Sequence, residues 1–154
     1  MPHVTRQVLF SSHDEDDTFI LEGQGVDLLN TQMIFIILNH QGDTLWQDAF
    51  SSKELIYYDV DEDSDSSTLS EVHRTLIKGH ISHFFDDEHF RPLSTFPIGT
   101  IDTHIQFSPE WNNVSGDSTL IGFHYVLGEG INRIIAYSKF KKQAFICVTY
   151  YSDL

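Results

Sequence analysis

A chain of 154 residues with 40% apolar and 21% charged side chains can bury a core without disulfides or metal staples, and is too apolar to stay disordered. Its net charge of −14 disfavours nucleic acid phosphate and anionic membranes as direct partners. The longest apolar run, Met33 to Leu38, falls far short of the ~18 residues that suggest a membrane span, so no span is expected and the chain reads as soluble.

The opening stretch MPHVTRQVLF lacks a basic segment followed by an apolar one, so no uncleaved secretory signal is expected. A trimmed exported or periplasmic domain would read the same way. The lone Cys147 cannot form an internal disulfide and favours a cytoplasmic reading. Residues 5–10 (TRQVLF) and 18–23 (TFILEG) read as short strands around the acidic turn SSHDEDD. Residues 31–39 (TQMIFIILN) form a nearly continuous β-branched and aromatic run, the pattern of a central strand covered on both faces. The turn NHQGD then sends the chain into TLWQDAF as a hairpin.

Next comes DVDEDSD, Asp59 to Asp65. Its alternating aspartates resemble the first ligands of a calcium loop, yet the sixth position is Ser64 instead of Gly and the twelfth is Ser70 instead of Glu. The charge matters more. Residues 1–67 hold fourteen Asp and Glu against Arg6 and Lys53, a balance of −12, while residues 68–154 balance at −2. Such a field attracts a basic protein surface. Asp59, Asp61, Glu62, Asp63 and Asp65 are the candidate partner-binding residues, and no nucleic acid is expected through this half.

Thr68 and Glu71 form T-L-S-E, a capping box whose hydroxyl and carboxylate satisfy backbone N–H groups at a helix start. Leu69, Val72, Leu76, Ile77, Ile81 and Phe84 recur at helical spacing, predicting one main helix over about 68–86. Gly79 weakens its middle by about 1 kcal/mol relative to Ala. His73, His80 and His83 lie in this helix, and the first two point toward the apolar face, where half-buried, hydrogen-bonded imidazoles are expected. His80 and His83 with Asp87 are also candidate ligands of a divalent metal, because imidazole and carboxylate suit such ions. No H-E-x-x-H motif supports them, and no other cofactor is expected. Asp86, Asp87 and Glu88 oppose the dipole at the helix end, with His83, His89 and Arg91 placed to offset them.

Pro92 and Pro97 mark residues 90–99 (FRPLSTFPIG) as a connector. The last third alternates again: 100–107, 119–127, 131–140 and 143–151 read as strands, with GEG at 128–130 and KFKKQ at 139–143 as reversals. The sum is a single α+β domain, an antiparallel sheet of about six to eight strands with the main helix packed on one face. Cys147, flanked by apolar residues, reads as a buried inert thiol. No nucleophile elbow, Cys–His signature or phosphate-binding glycine loop occurs. Asn113-Val114-Ser115 matches the glycosylation pattern, which matters only for a secreted eukaryotic chain. Trp46 and Trp111 suit a core or a binding patch.

The leading expectation is a non-catalytic binding domain, inhibitor-like or immunity-like, that engages a basic protein. A competing one is a metal-binding protein or small metal-dependent enzyme built on the helix histidines. A third is an exported domain with only a structural role.

Overall fold

The computed structural model describes residues 2–56, 66–97 and 104–152. Four strands, β1 (His3–Val8), β2 (Asp17–Gly23), β3 (Gln32–Leu38) and β4 (Thr44–Ser51), form one antiparallel meander. The helix α1 (Ser66–His83) follows. A second antiparallel sheet contains β5 (Phe90–Pro92), β6 (Ile105–Phe107), β7 (Ile121–Leu127), β8 (Ile131–Ser138) and β9 (Gln143–Tyr151) in the order β5-β7-β8-β9-β6. A four-residue helix, α2 (Trp111–Val114), lies between β6 and β7. The class is α+β with one main helix, as the periodicities predict, but the strands divide between two sheets.

Alternation decides which side chains meet between the sheets. Phe19, Leu21, Met33, Phe35 and Ile37 from the first sheet are fully buried, as are Phe123 and Ile135 from the second. Phe35 stands 5.4 Å from both Phe123 and Tyr125, ring centre to ring centre. The end of α1 closes this layer, since Phe84 and Phe85 lie 5.6 Å from Phe35. Edge-to-face aromatic pairs of this kind add about 0.5–1.5 kcal/mol each beyond their burial. The far side of β3 differs from the sequence expectation. Ile34 is buried, but Ile36 and Leu38 remain half-exposed.

The helix also departs from its predicted limits. It begins at Ser66, so Thr68 lies inside it and not at its cap; the Thr68 side chain is outside the described residues. It ends at His83, and turns then bury Phe84 and Phe85 side by side. A continuing helix would have swung consecutive side chains about 100° apart and taken one ring out of the core. Val72, assigned to the apolar face, is instead 45% exposed. The cation at this helix end is Arg6 of β1, which donates to the Phe85 carbonyl at 2.6 Å and meets the Asp87 carboxylate at 2.5 Å. Arg91 instead reaches Thr95.

Two elements were not expected. The proline connector contains β5, whose Pro92 sits at the end of a short edge strand, a position that needs no ladder donor. The segment 108–118 contains α2, which places Val114 in a second core with Leu93, Leu120, Ile134, Ala136, Cys147 and Val148. This core covers the other face of the second sheet. In β9 the register shifts, so that Ile134 pairs with Val148 and Ile135 with Ile146. Cys147 is the extra residue of a β-bulge. Ala144 and Ile146 therefore face the inter-sheet core, while Cys147 and Val148 both face the second one.

Candidate functional site

From α1 the chain passes through the short helical turn Asp87–His89 into β5, which pairs with β7. Farther along β7 the Gly128 N–H donates to the Glu54 carbonyl at 2.9 Å, tying the end of the first sheet to the second. Between these two attachments opens a cleft of about 810 Å³. Among the described residues its polar lining comprises Thr75, His80, His83, His89, His124 and Tyr125 with Glu54 and Glu88, and includes neither Lys nor Arg. These residues come from four separate stretches of chain.

Two of the imidazoles have assigned tautomers. His89 Nδ1 lies 2.7 Å from the Phe84 carbonyl, which can only accept, so Nδ1 carries the proton. Its Nε2 lies 3.7 Å from the Glu88 carboxylate. His124 Nε2 lies 2.8 Å from Asn132 Oδ1. The Asn132 amide nitrogen donates to the Gly130 carbonyl at 2.9 Å and to Ser152 Oγ at 2.5 Å, so its oxygen must accept from His124. His124 Nδ1 is therefore an acceptor. Burial holds the His124 pKa below its usual 6.5, against the opposing effect of the Asn132 hydrogen bond, which keeps the ring neutral.

A second polar group spans the sheets behind the cleft. Arg133 and Tyr125 both donate to Asp48 Oδ2, each at 2.9 Å. Burial pushes the Tyr125 phenol above its ordinary range, outweighing the help that Arg133 gives the phenolate. This group is a donor pair closed on a carboxylate, a structural arrangement with no nucleophile.

The sequence-predicted residues separate as follows. Asp59, Asp61, Glu62, Asp63 and Asp65 lie outside the described residues. His80 and His83 both line the cleft, and both are exposed instead of half-buried at the core edge. His73 is half-buried, and its Nε2 is enclosed without a hydrogen-bond partner among the described residues. Asp87 does not join the two cleft histidines: Arg6 takes its carboxylate, and Asp86 Oδ2 is the group 2.8 Å from His83 Nδ1. Among the described residues no three His, Cys, Asp or Glu gather as a metal-ligand set.

In the other acidic turn, Asp17 is 1% exposed and accepts from Ser11 N–H at 2.6 Å and Ser11 Oγ at 2.8 Å. It anchors the turn, leaving Asp14, Glu15 and Asp16 exposed. Cys147 is fully buried, its thiol donates to the Ile134 carbonyl at 3.1 Å, and burial pushes its pKa up to about 12.

Glu54 and His124 are not singled out in the sequence, and Glu88 only as a charge at the helix end. Glu54 and His124 are far apart in the chain, and the second sheet with the Gly128–Glu54 backbone bond brings them to one cleft. No described helix is long and apolar enough to cross a membrane. Comparison of the chain with protein-family models, with curated proteins and with solved structures finds no match.

Proposed function

We propose that the protein is a non-catalytic binding domain that engages a basic protein, in the manner of an inhibitor or immunity protein, through its acidic first half. The observation that carries this reading is the charge balance of −12 over residues 1–67 against −2 over the remainder. A one-sided field of this kind speeds encounter with an oppositely charged surface and suppresses wrong partners. A cytoplasmic location belongs to this proposal, with a trimmed exported domain as its alternative.

The test is binding of the full chain to a panel of basic and acidic proteins over a range of salt. The expected result is selective, salt-sensitive binding to basic members, weakened when Asp59, Asp61, Glu62, Asp63 and Asp65 are changed to Asn or Gln. Equal binding to acidic members, or binding indifferent to salt, would remove the reading.

A second reading, a divalent-metal protein, draws on His80 and His83 sharing one cleft. Metal analysis of protein purified without a histidine tag decides it: a stoichiometric transition metal, lost on His80→Ala and His83→Ala, supports the metal reading over the electrostatic one.

A further inference from the structure

We infer that the outer face of the first sheet, the side of β1 to β4 turned away from the inter-sheet core, is a docking surface for a second copy of this chain. The inference goes beyond the basic-partner reading and does not depend on it.

The strand registers decide what this face carries. Phe19, Leu21, Met33, Phe35 and Ile37 point into the inter-sheet core, so the positions that alternate with them point outward. There Ile20 pairs with Ile36, and Ile34 and Leu38 stand on either side of Ile36 along β3. Ile20, Ile36 and Leu38 are half-exposed, Ile34 is buried, and none of the four belongs to either hydrophobic core. The surrounding rim is polar. Gln7, Gln32 and Gln47 are exposed, and the Gln7 amide donates to Thr18 Oγ1 at 3.0 Å. Glu22 is the only Asp, Glu, Lys or Arg at an outward position of these four strands. An aliphatic centre inside a polar rim, with charge nearly excluded, is the anatomy of a protein–protein interface.

Charge selects the occupant. A basic protein draws its attraction from the acidic residues elsewhere in the first half, and gains little from a face with one carboxylate. Two copies of a chain with a net charge of −14 repel each other, and they meet most easily where each presents least charge. The outer face of the first sheet is such a place. A two-fold axis through it lays one aliphatic stripe on the other, with the two sheets packed about 10 Å apart as in a sandwich. Four strands about 4.8 Å apart and about 20 Å long offer a footprint of roughly 400 Å² on each copy. That is a small interface, so the dimer forms at micromolar and higher protein concentration.

The experiment is sedimentation equilibrium of the full chain with a metal chelator present, from low micromolar to near-millimolar concentration. The expected result is a monomer–dimer equilibrium that added salt strengthens, because screening removes the repulsion between like-charged copies. Ile36→Lys is expected to weaken the dimer about a hundredfold, since the two-fold axis brings an unpaired charge into the interface twice. The same substitution lowers the net negative charge, so a lost dimer is not the work of repulsion. Ile36 is half-exposed, and an unchanged denaturation midpoint verifies the fold; should the midpoint fall, Leu38→Lys at the end of the strand takes its place. Ile36→Val should retain the dimer, as should Val26→Lys, at a fully exposed residue outside the sheet. A monomer at every concentration overturns the inference, as does a dimer that salt dissociates or that Ile36→Lys leaves intact. If a basic protein, followed by NMR, covers Ile20 and Ile36 in place of a second copy, the inference falls and the basic-partner reading stands. Dimerisation through this face without any preference for basic proteins leaves the inference in place and removes that reading.

Discussion

The Tyr125 hydroxyl donates to Asp48 Oδ2 at 2.9 Å, joining β7 of one sheet to β4 of the other. Arg133 of β8 meets the same oxygen at 2.9 Å. Asp48 Oδ2 thus serves two side-chain donors, and the side chain is only 21% exposed. Removing it leaves a guanidinium and a phenol without their acceptor between the sheets. Asp48→Ala is expected to destabilise the protein by about 2–3 kcal/mol, measured by urea denaturation. Asp48→Asn keeps one acceptor oxygen and is expected to lose less. Equal losses for the two variants would mean that the shared acceptor is not what matters.

His124 fixes one pH dependence. Its folded pKa lies below the usual 6.5 because burial penalises the charged ring, so on acidification the unfolded chain takes the proton first. Its contribution to stability is complete above about pH 6.5 and is lost as pH falls from there toward the lowered folded value. His124→Gln is expected to flatten that part of the profile relative to the parent chain, in denaturation series run from neutral to mildly acidic pH. Parallel profiles would show that the ring does not titrate differently in the folded protein.

Cys147 gives a third test. With the thiol fully buried and its pKa pushed up to about 12, almost none is the reactive thiolate at neutral pH. Native protein is expected to react with Ellman's reagent only as fast as it unfolds, and at once in denaturant. Rapid reaction of the native protein would place the sulfur at the surface.

The middle of α1 offers an improvement in stability. A Cβ added at Gly79 meets nothing within 4 Å, so Gly79→Ala incurs no clash while reducing the freedom of the unfolded chain. The expected gain is about 0.5–1 kcal/mol, read as a rise in denaturation midpoint.

The local elements were legible where periodicity was strong. The hairpin of β3 and β4, the meander of β7, β8 and β9, and most of α1 follow directly from apolar spacing and turn residues. The strand β5 was hidden by Pro92, because proline argues against strands in general but not at the end of an edge strand. The end of α1 was misplaced because Phe84 continues the helical period, whereas burying Phe84 and Phe85 together requires the helix to stop. His80 and His83 were recognised as a pair. Glu88 and His89 follow them within a few residues, whereas His124 and Glu54 depend on contacts between segments distant in sequence, which no local pattern encodes. Asp87 was assigned to them from helical spacing, but the chain leaves the helix before that residue and Arg6 captures it.

The bulge at Cys147 gives β9 two allegiances along its length. Upstream of it, odd and even positions face one pair of layers; downstream, the assignment is exchanged, so Val148 and Tyr150 both belong with the second core. The C-terminal strand therefore counts residues as well as placing them. Deleting Cys147 itself would restore a regular pleat with Val148 still opposite Ile134 and on its present face, whereas deleting one residue from the regular stretch that follows would turn every later side chain to the opposite surface. Substitutions along β9 act one side chain at a time, whereas a change of length acts on the whole remaining strand at once.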